Sequence, residues 1–497
     1  MSAKRRDLGF GAMPVVVAGL AAVVLMTVLV AVAMARPLGF LHIRSNLSQA
    51  GTLISVYPKM GVAPDRDWVA VVWGEELRPG GGEFRGHVYI RAASETGSGW
   101  GSKVPVFAGS DDVCANVPTV VVEGTTAHVA YVVSGNTCLN PTVMQVRYKT
   151  CALGAEYGNV SCDDVEETVA SVNVSAGTIT SVDLALDTNG NPHVVWTQHD
   201  GQGEWGEVLY STDDGGGWSS PFTVASNQEG NKNNTAPAVA WADGNVHVAW
   251  EERTDNRIWY RRRTGTGWET AVQLFSPYSG LLLGNPDVVA GSNRVFVVWD
   301  CCSNLDAPDP SDRCSTYHLV YARSNNNGVH WSATMEVGTS YRYDTGFDQL
   351  EDYPSADEAD EGDPYFQRLR PAIALNSDGW PAVVWHVEHS DGGGGEGGDK
   401  YYTVYYTYAV TGTSDNVSWG ISPPTRLKDY EGDVMCSAVV GEGEGETSGG
   451  EPLLHVAYMR RPMEVDVWDV YYDSNEGVDR YRYAYLPMMM KLYPSGG

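Results

Sequence analysis

Basic residues are scarce in this sequence. Its 33 Lys and Arg face 62 Asp and Glu, which gives a formal net charge of −29 at pH 7. Such a chain repels nucleic acid and offers no basic patch to anionic lipid headgroups. The charge therefore argues against a nucleic-acid partner, and it is typical of a solvated surface that can also collect cations.

Amphipathic helix patterns are absent between Arg36 and the C-terminus. The chain contains 56 Gly and 25 Pro, and no window of about 12 residues repeats its apolar positions at the helical period. Apolar runs are instead short and rich in β-branched and aromatic residues, which is typical of strands. The sequence predicts an all-β fold.

A second hydrophobic run of membrane-spanning length is also missing. The single one follows Lys4, Arg5 and Arg6, and its apolar core from Met13 to Ala35 is long enough to cross about 30 Å of hydrocarbon. Residues 1–36 are either an uncleaved signal anchor or a signal peptide cleaved after Ala33-Met34-Ala35. Both versions place residues 37–497 outside the cytoplasm as one domain, and the first makes the membrane a partner.

The repeated C-x-x-C spacing of zinc sites does not occur among the eight cysteines. An even number in an exported chain favours disulfides. The sequence does not fix their connectivity. The pairs that we expect are Cys151 with Cys162, Cys114 with Cys138, and Cys301 or Cys302 with Cys314.

Common catalytic motifs are lacking too. The sequence has no G-x-S-x-G elbow, P-loop, H-E-x-x-H helix or Cys/His nucleophile pair. It therefore favours a scaffold over a reaction.

What the sequence does contain is one phrase, repeated about every 50 to 85 residues, in which a short apolar strand ends in Trp or Tyr. Its seven copies reach Trp73, Tyr131, Trp196, Trp250, Trp299, Trp385 and Tyr458. Each is preceded by another strand and a turn, as in APAVAW and Asp243-Gly244-Asn245, and is followed by a third strand and a weaker fourth. Four antiparallel strands repeated head to tail predict the blades of a β-propeller. Seven blades are favoured, and six with a divergent edge module is the alternative.

The turn between the third and fourth strands carries a family resemblance. STDDGGGW resembles the Asp-box motif S-x-D-x-G-x-x-W of the bacterial-neuraminidase (BNR) repeats found in sialidase-type propellers, and SNNNGVHW resembles it with Asn in place of Asp. The matching residues are Ser211, Asp213, Gly215, Trp218, Ser324, Asn326, Gly328 and Trp331. The resemblance implies a structural role at the blade periphery, where the Asp pins the turn and the Trp packs beneath it.

Catalysis in that family requires specific residues in addition to the fold. Its enzymes resemble one another in an arginine trio that grips a carboxylate, a Phe/Tyr-Arg-Ile-Pro segment, a Tyr–Glu nucleophile pair and an Asp acid/base. This sequence has no Phe/Tyr-Arg-Ile-Pro segment, and Arg368 with Arg370 supplies two arginines rather than three. The catalytic set is incomplete.

Functional residues in propellers gather at one mouth of the central channel. The residues just after each phrase should reach that mouth, where carboxylates with a few His and Arg suit carbohydrate or cation binding. The binding candidates are Glu75, Glu76, His199, Asp200, Glu251, Arg253, Asp300, His386, Arg460 and Arg461. Strand ends are ordinarily polar, so the same pattern also fits a plain solvated rim.

Two functions follow. The first is a membrane-tethered, non-enzymatic propeller that recognises a glycan, a protein or another envelope component, either alone or as a subunit of a larger complex. The alternative is a sialidase-like glycoside hydrolase with Glu252 and Glu388 as catalytic candidates. A Ca²⁺ site is a further hypothesis for the acidic segment that contains Asp357, Asp360, Glu361 and Asp363, although a solvated loop explains it as well.

Overall fold

The chain divides into two units, Met1–Gly39 and Phe40–Gly497, and the described residues belong to the second. The structure, a computed structural model, describes residues 45–474 except 49–53, 64–67, 78–84, 95–98, 110–112, 136–140, 155–157, 204, 228–230, 276–281, 304–315, 338–370, 376–378, 391–399, 413–416, 420–424, 430–432, 447–451 and 462–468. The predicted N-terminal hydrophobic segment lies outside these residues. Among the residues described, no helix has the length and apolarity needed to span a bilayer.

The strands of the first four sheets follow one another along the chain. Sheet 1 contains β2 (Ile54–Val62), β3 (Trp68–Leu77), β4 (Arg85–Ser94) and β5 (Val104–Phe107). Sheet 2 contains β6 (Val113–Glu123), β7 (Thr126–Gly135), β8 (Val143–Leu153), β9 (Val160–Cys162) and β10 (Glu167–Asn173). Sheet 3 contains β11 (Gly177–Leu186), β12 (Pro192–Asp200), β13 (Gly206–Thr212) and β14 (Phe222–Ala225). Sheet 4 contains β15 (Asn234–Ala242), β16 (Asn245–Glu252), β17 (Arg257–Thr264), β18 (Gly267–Trp268) and β19 (Val272–Phe275).

Three further sheets complete the described strands. Sheet 5 contains β20 (Leu282–Gly291), β21 (Arg294–Ser303), β22 (Thr316–Ser324) and β23 (Met335–Glu336). Sheet 6 contains β24 (Ala372–Leu375), β25 (Pro381–Ser390), β26 (Lys400–Gly412), β27 (Val417–Trp419) and β28 (Thr425–Asp429). Sheet 7 combines β29 (Asp433–Glu446), β30 (Pro452–Arg461) and β31 (Asp469–Ser474) with β1 (Ser45–Asn46) from the other end of the sequence.

The sheets are arranged in a ring. Each sheet has one innermost strand, and each of these strands contacts that of the next sheet in the order β2, β6, β11, β15, β20, β24 and β29, which contacts β2 again. In every sheet the innermost strand pairs antiparallel with the strand that follows it in the sequence. The fold is therefore an all-β propeller, which confirms that part of the predicted fold class.

Proline shapes the innermost strands. In β2, β6, β15 and β20 the ladder skips two residues, an X-Pro pair that lies opposite the aromatic residue ending the repeated phrase. Proline cannot donate to a ladder, so a bulge is the place where a sheet tolerates it. The residues before the prolines have positive φ: Tyr57 (52°), Val117 (51°), Ala236 (48°) and Asn285 (46°).

Aromatic residues join neighbouring sheets. The Trp of each described turn between the third and fourth strands packs edge-on against a third-strand Tyr of the preceding sheet, with ring centroids 4.6 to 5.3 Å apart. The pairs are Trp218–Tyr148, Trp268–Tyr210, Trp331–Tyr260 and Trp100–Tyr472. The last pair connects sheet 1 to sheet 7 and so belongs to the closure of the ring.

Each of these tyrosines also contacts a histidine within its own sheet. The hydroxyl and the histidine Nδ1 are 2.5 to 2.7 Å apart in His128–Tyr148, His193–Tyr210, His247–Tyr260 and His455–Tyr472. Burial lowers the histidine pKa to about 4 in the first three pairs and to about 3 for His455. The neutral imidazole is therefore a fixed part of the core.

The N-terminal strand is held between sheets 7 and 1. Leu47 is buried, and its N–H donates to the Val470 carbonyl at 2.8 Å. Arg91 of β4 donates from Nη1 to the carbonyls of Asn46 (3.3 Å) and Leu47 (2.8 Å), and from Nε to that of Gly101 (2.6 Å). The start of the described chain thereby fastens the ring.

The predicted Cys151–Cys162 disulfide is confirmed, and it links β8 to β9. Cys114 is also disulfide-bonded, while its predicted partner Cys138 lies outside the described residues, as does Cys314.

Removing the hydrogen bonds that Arg91 donates should destabilise the closure of the ring between sheets 7 and 1. We expect Arg91→Ala to lower the free energy of unfolding by about 2 to 4 kcal/mol, because a charged donor to three carbonyls is lost. Urea denaturation of the full-length chain measures this. The control is Arg257→Ala, an arginine whose ion pair with Asp255 is partly exposed and should contribute no more than about 1 kcal/mol. Equal losses in both variants would contradict the assignment.

The buried histidines should make stability fall in acid. Their folded-state pKa lies below the ordinary value near 6.5, so the unfolded chain takes up protons first as the pH drops. Their contribution is complete above about pH 6.5 and is lost progressively towards pH 4, at up to about 1.4 kcal/mol per pH unit for each histidine. Phe296 occupies the equivalent position in sheet 5, so His193→Phe is a conservative test.

The measurement is the free energy of unfolding between pH 4.5 and 7.5 for the unchanged chain, His193→Phe and the exposed control His330→Ala. The proton uptake on unfolding at pH 5 should fall by about one in His193→Phe alone. An unchanged pH slope in that variant would refute the role given to His193.

Candidate functional site

The predicted mouth residues lie at one end of the sheets. We call this the mouth end, where the innermost strands begin and the second strands end. Ladder register places Glu75 opposite Ser55, Asp200 opposite Gly177, Glu251 opposite Thr235, Asp300 opposite Gly284 and Arg460 opposite Val434. They therefore share one end of the ring but are distributed over different sheets.

Glu75 is fully buried and has internal partners. It accepts hydrogen bonds from Trp73 Nε1 at 2.9 Å and from Lys103 Nζ, which lies 2.8 and 2.9 Å from its two oxygens. The same ammonium donates to the Ser48 carbonyl at 3.2 Å. This carboxylate therefore contributes to the closure of the ring through Lys103 and Ser48.

Glu252, a catalytic candidate, is 3% exposed. Its Oε1 accepts the N–H of Thr254 at 2.8 Å, and its Oε2 lies 3.8 Å from Lys232 Nζ. A carboxylate that caps a turn and is shielded from solvent is poorly placed to flank a scissile bond.

Arg253 stands out because its side chain is 46% exposed while its Nε donates to the buried Glu251 at 2.9 Å. Burial lowers the pKa of His199, and the positive charge of Arg253 lowers it further. The His199 Nε2 is 3.1 Å from Thr180 Oγ1. In the adjoining hairpin, Asp200 donates its N–H to the carbonyl of the partly exposed Trp205 at 2.8 Å.

The other mouth candidates are defined less completely. Asp300 is buried, and both its oxygens lie 3.4 Å from Asn285 Nδ2. Side chains of Glu76, His386, Glu388, Arg460 and Arg461 are outside the description, although their strand positions are given. The Ca²⁺ candidates Asp357, Asp360, Glu361 and Asp363 lie outside the described residues, and among those described no group of three or more His, Cys, Asp or Glu is arranged for a metal ion.

The Asp-box candidates form tight turns at the outer edge. Asp213 Oδ1 accepts the N–H groups of Gly215 (2.8 Å) and Gly217 (2.9 Å), and both glycines have positive φ. Ser211 donates to the Ser219 carbonyl at 2.8 Å. In the second copy, Asn326 Oδ1 accepts the N–H of His330, and Ser324 Oγ accepts that of Gly328. These contacts stabilise the turns that carry Trp218 and Trp331.

A cavity of about 430 Å³, which we call the axial cavity, is lined by described residues of six innermost strands: β2, β6, β11, β15, β20 and β24. Its polar lining consists of Lys59, Thr119, Asp183 and Asp287, and its apolar lining includes Leu186, Trp241, Val289 and Leu375. None of the predicted mouth residues is among its described lining.

The two carboxylates of the axial cavity join neighbouring sheets. Asp183 accepts the Thr119 hydroxyl of sheet 2 at 3.1 Å and the Val239 N–H of sheet 4 at 2.9 Å. Asp287 accepts the N–H groups of Val288 (2.9 Å) and of Ile373 in sheet 6 (3.0 Å). Backbone donors that face the axis from an edge strand thereby obtain acceptors.

The charged groups of the axial cavity influence one another. Burial raises the pKa of Asp287 to about 6, with Lys59 lowering it and the negative charge of Asp183 raising it further. Lys59 has no ion pair within 4 Å among the described residues. Among the described residues, the ammonium of Lys59 therefore has no close carboxylate partner in the cavity.

The sequence analysis missed these residues, although a signal was present. Lys59, Thr119 and Asp287 directly follow Pro58, Pro118 and Pro286, whereas Ala238 and Ala372 follow the corresponding prolines of other sheets. Asp183 takes the same ladder position in β11, opposite the residue before the phrase tryptophan. A polar residue at a position where other repeats have Ala indicates a side chain that lines the axis.

No protein-family model and no curated protein matches the sequence. Among solved structures the chain is similar to the phage phi92 endosialidase, with a TM-score of 0.46 and 9% identity over 88% of this chain and 70% of that one. It is similar to Trypanosoma rangeli sialidase in complex with the inhibitor DANA, with a TM-score of 0.44 and 10% identity over 85% of this chain. The third is the polysaccharide lyase Uly1, with a TM-score of 0.42 and 11% identity over 89% and 92% of the two chains.

The chain spans 55% of the length of the Trypanosoma sialidase. Similarities at this level assign neither a substrate nor an activity to this chain.

Asp183 should be a stability determinant. We expect Asp183→Ala to cost about 2 to 4 kcal/mol, because the Thr119 hydroxyl and the Val239 N–H both lose their acceptor. Alanine is sterically acceptable at this position, since Ala238 occupies it in sheet 4. Urea denaturation compares this variant with Asp214→Ala, which removes an exposed carboxylate and should change stability by less than about 0.5 kcal/mol. A loss no greater than that of the control would contradict the bridging role.

Proposed function

We propose that this chain is a non-enzymatic recognition propeller, displayed outside the cytoplasm, that binds a glycan at its mouth end. The observation that carries the proposal is the internal engagement of the mouth carboxylates. Glu75 and Glu252 are buried against Lys103 and against a turn, respectively. Such groups stiffen a binding surface and are not available as an acid/base pair.

Arg253 and Trp205 supply the exposed part of that surface. The guanidinium of Arg253 is anchored through Nε by Glu251, its side chain is 46% exposed, and it carries further N–H donors. Trp205 offers a partly exposed ring in the neighbouring hairpin. An oriented donor and an aromatic side chain at the same end of two neighbouring sheets suit a hydroxyl-rich ligand.

The hydrogen bond between Tyr131 and Glu166 does not support sialidase-type chemistry. Tyr131 donates to Glu166 at 2.6 Å, with Arg147 nearby. The tyrosine is fully buried, and burial together with Glu166 raises its pKa, so it is a poor nucleophile.

The proposal extends to architecture and location. Each of the seven sheets would be one blade, and the turns at Asp213 and Asn326 would belong to repeats of the Asp-box type. The segment of residues 1–36 would hold the propeller outside the cytoplasm as a signal anchor, or would be removed as a signal peptide. The Cys151–Cys162 disulfide fits an oxidising compartment.

The test measures binding and turnover on the same full-length protein in nonionic detergent. We expect glycan-array binding without hydrolysis of fluorogenic α-sialosides or other aryl glycosides, with and without Ca²⁺. Arg253→Ala should weaken the binding at least about tenfold. Arg263→Ala, at the other end of the sheet from the mouth, is the matched control.

Hydrolysis that Glu252→Gln abolishes would replace the proposal by a glycoside hydrolase. Array binding that Arg253→Ala leaves unchanged would remove the mouth end as the glycan site. A folded protein that binds no glycan would refute the glycan proposal and favour a protein partner.

A further inference from the structure

The axial cavity is amphiphilic, and it is separate from the proposed mouth site. Lys59, Asp183 and Asp287 occupy the same ladder position in β2, β11 and β20. Leu186, Trp241 and Leu375 lie three residues beyond this position in β11, β15 and β24, and they also line the cavity. At about 430 Å³, the cavity is within the range of small-molecule sites.

The described residues leave acceptor positions open at the charged end. Asp183 and Asp287 each accept two hydrogen bonds from described residues, and an ionised carboxylate has about four acceptor positions. Two carboxylates face one ammonium, that of Lys59, which forms no ion pair within 4 Å among the described residues. The formal balance of these three groups is negative when both aspartates are ionised.

This charge selects among ligand classes. An anion would meet two carboxylates, and a neutral molecule would leave the excess negative charge unbalanced in a poorly solvated site. A divalent metal ion prefers six or more oxygen ligands, and the described cavity offers two carboxylates. An organic cation compensates the charge with one group and covers the apolar walls with the rest of its surface.

We propose that the axial cavity binds a small organic cation, a primary ammonium on a compact apolar body. The ammonium donates to Asp183 and Asp287, and the body packs along Leu186, Leu375 and Trp241. The net charge of −29 raises the local concentration of such cations. Lys59 opposes the ligand electrostatically and so limits affinity.

Binding should depend on pH through Asp287. The groups that influence its charge are Lys59 of β2 and Asp183 of β11, and its pKa without ligand is about 6. Because a cation favours the ionised carboxyl, binding should release a proton below pH 6. Affinity should be about tenfold weaker at pH 5 than at pH 7.5.

The experiment is calorimetric titration of the full-length chain in nonionic detergent with 2-phenylethylamine, against the neutral analogue 2-phenylethanol. We expect saturable binding of the amine, and binding of the alcohol at least about tenfold weaker. Asp287→Asn should weaken amine binding by about tenfold or more, while the exposed control Asp214→Asn should not. Each variant is first shown to be folded by urea denaturation.

Lys59→Met gives a test that loss of folding cannot mimic, because it should strengthen amine binding by removing the competing positive charge. No saturable amine binding, equal binding of amine and alcohol, or unchanged affinity in both Asp287→Asn and Lys59→Met would overturn the proposal. Failure here leaves the mouth proposal standing, since Arg253 is not among the described lining of this cavity.

Discussion

The contact between one sheet's turn Trp and the preceding sheet's Tyr is the interaction on which the ring depends. A four-stranded sheet has two faces and cannot bury both by itself, so its stability comes from its neighbours. The Trp331–Tyr260 and Trp100–Tyr472 pairs place a rigid aromatic edge at this boundary. A buried histidine of the same sheet contacts the hydroxyl of each tyrosine and fixes its position. The packing within one sheet therefore affects the contact of that sheet with the next.

A second constraint lies at the axis. Each innermost strand is an edge strand, because the N–H groups that face the axis have no further strand with which to pair. Asp183 and Asp287 supply acceptors to the next sheets at Val239 and Ile373. Partial desolvation of a carboxylate is unfavourable, and it raises the pKa of Asp287. Ala238, Ala372 and Ala438 occupy equivalent ladder positions without a carboxylate.

Much of this fold could be predicted because it depends on short-range patterns. The phrase strands, the turn at Asp243-Gly244 and the Cys151–Cys162 link are each set by residues close in sequence. The turn at Asp213 was implied by the resemblance to the Asp-box motif, which is itself a short local pattern. The histidine–tyrosine pairs were not foreseen, because they join different strands and their partner spacing varies with the intervening hairpin.

Site prediction was weaker because a residue's position along a strand does not determine its partners. Glu75 and Glu252 look like available carboxylates in sequence, yet Lys103 and a turn backbone occupy them. Asp287 looks like a strand residue after proline, yet the bulge turns it towards the axis. The distinction depends on contacts between sheets, which a pattern within one repeat cannot supply. A residue's partners in the neighbouring sheets, rather than its place in the repeat, therefore decide whether its charge is available to a ligand.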